Sequence, residues 1–130
     1  MDNIFSNYRA GDFLIRLKNA SMAGRDEVIV VNTKFILAIA KALKEEGFLQ
    51  DVKSEKGVLT VKLARAHKES VISDLKLVSK PGLRVYKGVD DIKAKKTASS
   101  IWILSTPKGI MSSTKAKKQN MGGEVIAEIW

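Results

Sequence analysis

Between positions 105 and 124 the chain gathers small hydroxyls (Ser105, Thr106), glycines (Gly109, Gly122, Gly123), lysines (Lys108, Lys115, Lys117, Lys118) and one carboxylate, Glu124. Each type has a use against a nucleic acid. Hydroxyls exchange hydrogen bonds with base edges and the ribose 2′-OH, lysines meet phosphates, and glycines let a backbone come close. A carboxylate is out of place beside phosphate unless it accepts hydrogen bonds from base N–H groups. The same residues also suggest a competing chemistry, with Ser105, Lys108 and Glu124 as the centre of an RNA-modifying or RNA-cleaving enzyme. Their spacing argues against it: Ser105 sits in no G-x-S-x-G elbow, and no G-x-x-x-x-G-K-[ST] phosphate loop exists. Asp90 and Asp91 are neighbours whose carboxylates diverge on regular structure, and they read as a capped turn. His67 is the single histidine and lies in a polar connector, where one imidazole makes no metal site. We expect no catalytic residue, no metal and no cofactor.

Composition points the same way. The 130 residues (14.3 kDa, 45% hydrophobic) suffice for one compact core or two small lobes, and 23 Lys and Arg against 14 Asp and Glu leave a net charge of +9. A polyanion is the expected partner, and a nonspecific basic chaperone is a further alternative. The charge is uneven, +3 over residues 1–70 and +6 over residues 71–130, so the polyanion face should lean towards the second half. Without cysteine there is no disulfide, thiol nucleophile or Cys/His zinc site. The longest uncharged stretch, 97–107, is far short of the ~18–20 apolar residues of a membrane span. The amino terminus carries Asp2, Arg9 and Asp12 and no long apolar run, so we expect no secretory signal, no membrane partner and a soluble, intracellular protein.

The elements that must position these residues fall into two sets. Phe13, Leu14, Leu17 and Ala20, preceded by Ile4, Phe5 and Tyr8, recur at helical spacing. The β-branched run 27–31 suits a buried strand. Asn32 or Thr33 can cap a helix through Phe35, Ile36, Ile39, Ala40 and Leu43 that ends at Gly47. Residues 48–53 and 58–63 flank Ser54-Glu55-Lys56-Gly57 as a hairpin. A polar connector, 65–70, marks the boundary. Beyond it, 75–79 and 83–86 flank Lys80-Pro81-Gly82 and predict a second hairpin. A helical turn at 89–92, a strand at 100–104, a loop at 105–109, a basic helix at 112–120 and a terminal strand at 124–130 follow. Met121-Gly122-Gly123 would stop the helix. The fold class is α+β, with an α-β-α-β-β lobe (1–68) and a mostly β lobe with one short helix (69–130).

At the chemically promising residues the sequence resembles a known family. Ser105-Thr106-Pro107-Lys108-Gly109-Ile110-Met111, then Ala116-Lys117 and Gly122-Gly123-Glu124-Val125, are similar to the signature of small-subunit ribosomal protein eight. Lys80-Pro81-Gly82-Leu83-Arg84-Val85-Tyr86, Leu43-Lys44-Glu45-Glu46-Gly47-Phe48, Gly11-Asp12-Phe13-Leu14-Ile15-Arg16 and Lys18-Asn19-Ala20 match its other blocks in order. The resemblance implies two α+β lobes and a primary contact with an irregular helix in the central domain of small-subunit ribosomal RNA. It also implies an early role in assembly beside neighbouring small-subunit ribosomal proteins, and in many bacteria repression of the protein's own messenger RNA. The implied location is the ribosome, in a cytoplasm or an organelle matrix. By position, the Ser105-Thr106 loop and Gly122-Gly123-Glu124 resemble the family's base and ribose contacts, Tyr86 and Lys108 flank that surface, and Thr33 and Lys34 resemble its first-lobe backbone contacts. With Arg84, Gly109, Lys115 and Lys118 added for charge and reach, these form the candidate RNA-binding set. Pro107 departs from the family, which usually carries a second serine there, and Thr97-Ala98-Ser99 replaces a glycine-rich approach.

Overall fold

In a computed structural model of the chain, residues 9–93 and 100–130 are described. The expectations for Ile4, Phe5, Tyr8 and residues 97–99 lie outside the described residues. Helix α1 (Arg9–Met22) buries Ala10, Phe13, Leu14, Leu17 and Ala20, the three- and four-residue spacing of one helical stripe. Strand β1 (Glu27–Val31), helix α2 (Lys34–Glu45) and strands β2 (Leu49–Glu55) and β3 (Val58–Leu63) complete the expected α-β-α-β-β order. Their sheet is antiparallel in the order β1-β3-β2. Thr33 is the residue that caps α2, its Oγ1 accepting the Ile36 N–H at 3.1 Å. Asn32 instead donates from Nδ2 to Ser54 Oγ at 2.7 Å. The loop expected at 54–57 contracts to two residues, because β2 runs on to Glu55. Lys56 (φ 51°) and Gly57 (φ 79°) both adopt positive φ, the type I′ pattern whose twist matches that of the strands it joins.

The connector is a small ribbon, β4 (Arg65–Ala66) paired with β5 (Glu69–Ser70), with exposed His67 at its turn. The Arg65 guanidinium fixes it, donating to Gly24 O at 2.8 Å and Lys68 O at 2.7 Å and pairing with the Asp26 carboxylate.

The second half contributes β6 (Leu75–Leu77), β7 (Tyr86–Lys87), α3 (Val89–Lys93), β8 (Ile101–Thr106), β9 (Gly109–Ser112), α4 (Ser113–Lys118) and β10 (Gly123–Ile129). The hairpin expected at 75–86 does not form. Its turn does: Lys80 and Leu83 exchange backbone hydrogen bonds at 2.8 and 2.9 Å around Pro81 and Gly82 (φ 81°). The two arms pair with β10 rather than with each other, β6 against residues 127–129 and β7 against 123–124. Between them Val78 and Ser79 donate to Ile126 O and Val125 O, and Val125 donates to Val85 O. One long strand offers both arms a continuous row of backbone partners. The basic helix is also shorter than expected. Ser112 caps it, accepting from Lys115 N at 3.2 Å, and Asn120 (φ 59°) supplies the left-handed stop that Gly122-Gly123 were expected to supply.

The sheet of the second half has two working faces. Ile103, Ile126, Ala127 and Ile129 join α1, α2 and the first sheet in one continuous core that also takes in Ile72 and Leu75. Leu104 and Val125 point the other way, and with Ile92, Met111 and Ala116 they form a smaller cluster under α3 and α4. The termini of the core are tied by Asp74. Its backbone exchanges hydrogen bonds with Trp130 at 3.0 and 3.1 Å. Its carboxylate accepts the Leu75 N–H at 2.8 Å and faces Lys18 Nζ at 3.3 Å.

The Leu75 N–H, opposed by partial desolvation and assisted by Lys18, holds the Asp74 carboxyl below its ordinary value. A carboxyl with a lowered folded pKa stabilises the fold above its unfolded value of about 3.9 and loses that contribution as pH falls through the folded value. Asp74→Asn should therefore lower the melting temperature at pH 7, and the gap to wild type should close below about pH 4. Melting curves of both proteins across pH 2–7 measure it, a range of about five units around the transition.

Candidate nucleic-acid interface

The register of the second sheet decides which candidate residues meet. Glu124 lies opposite Tyr86 on one side and opposite Ser105 on the other, and Ser105 lies opposite Ile110. Residues directly opposite in antiparallel pairs share a face, so Tyr86, Glu124 and Ser105 stand in one cross-strand row. Alternation along β8 puts Ser105 on the face of Ile103, the face covered further along by α1 and α2. The row thus occupies the end of the sheet that the helices leave open. Tyr86 is 68% exposed there.

The two glycines before Glu124 make this row possible. A Cβ on Gly123 would fall on the Ser105 carbonyl oxygen, well inside van der Waals contact, and one on Gly122 would lie 2.6 Å from Lys87 O. Neither has positive φ, so close backbone approach within the protein, rather than a turn, demands glycine here. The bulge that accompanies them lies further along, between Val125 and Ala127 opposite β8.

The Ser105-Thr106 stretch is strand rather than loop, because β8 extends to Thr106 and the turn to β9 is only Pro107-Lys108. Pro107 occupies the first central position of that turn, which its fixed φ suits. The Thr106 hydroxyl is engaged inside the turn, donating to Gly109 O at 2.7 Å and accepting the Lys108 N–H at 3.3 Å. Thr106 is buried, whereas Ser105 is half-buried on the open row and Lys108 and Gly109 are exposed.

Arg84 is presented by the Lys80–Leu83 turn, whose exit is held by the buried Ser79 hydroxyl accepting the Val85 N–H at 2.9 Å. Its Nη1 donates to Glu124 Oε2 at 3.4 Å. Across from this pair lies the start of α2. Arg84 and Glu124 line one cleft of about 390 Å³ with Thr33, Phe35, Ile36, Ala10 and Arg9. The structure thereby joins Thr33, Arg84, Tyr86, Ser105, Gly122, Gly123 and Glu124, which are far apart in sequence, into one surface. Lys34 is exposed at the first position of α2 beside it. Lys115 and Lys118 are elsewhere: α4 packs on the opposite face through Ala116, and Lys115 reaches Glu45 at 3.8 Å. Arg9, Ala10, Phe35 and Ile36 are cleft residues outside the candidate set, and of these Arg9 and Phe35 are exposed. In the sequence Phe35 reads as part of the helix's apolar stripe, although it lies one position ahead of the Ile36, Ile39, Leu43 spacing that is buried.

Among the described residues no cluster of His, Asp and Glu could hold a metal ion, and no helix is long and apolar enough to cross a membrane. The described residues make a mixed α+β protein with a polar, basic-rimmed row and a cleft between its halves, groups of the kind that suit a nucleic acid. Comparison with known proteins gives the particular family. The family described as Ribosomal protein S8 matches residues 9–130. Curated relatives include the small ribosomal subunit protein uS8 of Anaeromyxobacter sp. (strain K), 44% identical over 125 residues, covering 92% of this chain and 95% of the relative. The uS8 proteins of Nitratidesulfovibrio vulgaris (strain Miyazaki F) and Oleidesulfovibrio alaskensis are each 42% identical over 119 residues, covering 92% of this chain and 94% of theirs. The chain belongs to the ribosomal protein S8 family, whose role is structural rather than catalytic.

Gly123→Ala should destabilise the protein by about 1–3 kcal/mol, the usual cost of forcing extra carbon into a packed site. Gly88→Ala, where an added Cβ meets nothing within 4 Å and φ is not positive, should stay within about 0.5 kcal/mol of wild type. Urea unfolding of the two variants makes the comparison.

Proposed function

We propose that this protein is a structural component of the small ribosomal subunit. In this reading it is a primary binder of an irregular helix in the central domain of the subunit's RNA, it assists assembly of that domain, and it acts at the ribosome beside neighbouring small-subunit proteins. The observation that carries the reading is the row Tyr86, Glu124, Ser105, which offers a phenol ring, a carboxylate and a hydroxyl on one open strip of sheet. Lys108 and Arg84 rim that strip with positive charge. A carboxylate in this setting reads base N–H groups, while the hydroxyl meets ribose 2′-OH or base edges. The pair with Arg84 leaves acceptor positions on Glu124, since a carboxylate has about four. Residues 69–130 supply specific contacts, and Thr33 and Lys34 of the 1–68 lobe supply backbone contacts. Affinity for a messenger hairpin that mimics the ribosomal site, and so repression of the protein's own operon, follows from the same surface.

Two measurements test this. Glu124→Gln should weaken binding to a central-domain RNA fragment even though it makes the protein more positive, because a charge-assisted acceptor worth roughly 1.5–3 kcal/mol is replaced by a weaker one. Tighter binding by the amide would confine Glu124 to its bond with Arg84. With about 4–7 phosphates neutralised, log affinity should fall with log salt at a slope of about −3 to −6, while preference for target over scrambled hairpin persists at moderate salt. Equal affinity for both hairpins would point to a nonspecific chaperone, and any cleavage or mass change of the RNA would point to an enzyme.

A further pair of variants separates the adjacent hydroxyls. Ser105→Ala should weaken RNA binding several-fold with little change in stability. Thr106→Val should mainly destabilise the turn, by about 0.5–1.5 kcal/mol, since it removes the hydroxyl's bonds to the Lys108 N–H and the Gly109 carbonyl. Titrations paired with melting curves distinguish the two outcomes.

A further inference from the structure

Phe35 is 44% exposed in the first turn of α2, while the stripe of that helix closes over Ile36, Ile39, Ala40 and Leu43. A single exposed apolar side chain is ordinary, but this one forms a wall of a cleft whose other walls carry charge. Arg9 comes from the start of α1, and Arg84 and Glu124 come from the far side, across the junction of the two halves. An aromatic face, two guanidiniums and one carboxylate around about 390 Å³ describe the features of a bound nucleotide. A ring of this kind can stack on a flat base, the Arg9 guanidinium can meet a phosphate, and Glu124, beside its partner Arg84, keeps acceptor positions for a base edge. The volume falls in the ~300–1,000 Å³ range of small-ligand pockets, which admits one nucleotide and excludes a duplex. The cleft also opens onto the Tyr86, Glu124, Ser105 row, Glu124 belonging to both. An acidic peptide, the protein alternative for a basic cleft, would be repelled by Glu124, whereas a base presenting N–H groups is not.

We infer that this cleft receives one unpaired nucleotide splayed out of the bound RNA helix, with Phe35 as its stacking platform and Arg9 as a phosphate contact. The inference rests on the RNA-binding reading above and adds an RNA feature it must contain, an unstacked base next to the base pairs read by the row.

The test uses the full chain and a central-domain ribosomal RNA fragment in which each unpaired position in turn is replaced by 2-aminopurine. Wild-type protein should change the fluorescence at one position strongly, and Phe35→Ala should abolish that change and weaken binding about five- to hundred-fold, the range of base–aromatic stacking. Phe35→Trp should keep both signals. Phe35→Leu, which packs well but has no π face, should behave like alanine, with melting curves confirming that both variants are folded. Arg9→Gln should reduce the salt slope by about one. If Phe35→Leu binds and reports like wild type, the ring serves packing alone and the inference is overturned. If Phe35→Ala leaves RNA affinity and every 2-aminopurine signal intact while the wild type still selects target over scrambled RNA, the cleft is not an RNA site and a protein partner becomes its occupant. If the wild type fails to select its target at all, the RNA-binding reading fails first and takes this inference with it.

Discussion

Strand β10 has no free edge, and the rest of the molecule is arranged around that fact. β8 occupies one side along most of its length, while β6 and β7, joined by a turn that leaves the sheet and returns, occupy the other. A strand in this position must satisfy its backbone on both sides and fit side chains above and below. At Gly122 and Gly123 the flanking backbones come so close that no side chain fits at all. The close approach sets Glu124 between Tyr86 and Ser105.

The same strand joins the halves of the chain. Ile126, Ala127 and Ile129 enter the core built by α1 and α2, so the helices of the first half are positioned by the sheet of the second. Secondary ties follow that junction: Lys18 to Asp74, Ser21 Oγ donating to Ile72 O at 2.5 Å, and Ser112 Oγ donating to the Glu46 carboxylate at 2.8 Å. The one ion pair among these, Lys18–Asp74, is partly exposed and contributes little stability by its charges alone. Their effect is geometric, since the cleft between Phe35 and Arg84 exists only while the two halves keep one orientation. A surface assembled this way is preorganised, which reduces the ordering cost paid on binding.

Much of the fold was legible because local rules governed it. Thr33, Gly47, Gly57 and Pro81-Gly82 each did locally what their residue types favour, and the apolar stripes of α1 and α2 fell at the expected spacing. The errors share one cause. Residues 75–86 were legible as a turn with two arms, yet the partner of those arms is the strand at 123–129, far along the chain. The helix stop fell to Asn120 because Gly122 and Gly123 were needed for contacts that no local pattern records. Phe35 looked like core because its neighbours are, yet it stands exposed on the wall of the cleft.

The sequence by itself determined the class of ligand and the chemical means. A net charge of +9 without cysteine, and hydroxyls, glycines and a carboxylate clustered near residues 105–124, follow from residue identity alone and are independent of folding. Only the tertiary structure decided which of those groups stand together. Thr106 and Ser105 are adjacent in sequence, but strand alternation turns one hydroxyl into its own turn and the other onto the open row. Lys115 and Lys118 share the basic segment with Lys108 but ride on a helix packed against the opposite face. Phe35 and Glu124 share no local pattern, and they line one cleft because a core closed between them. Residue type fixes what a group can bond to, and only the long-range register of strands and helices fixes what it can reach.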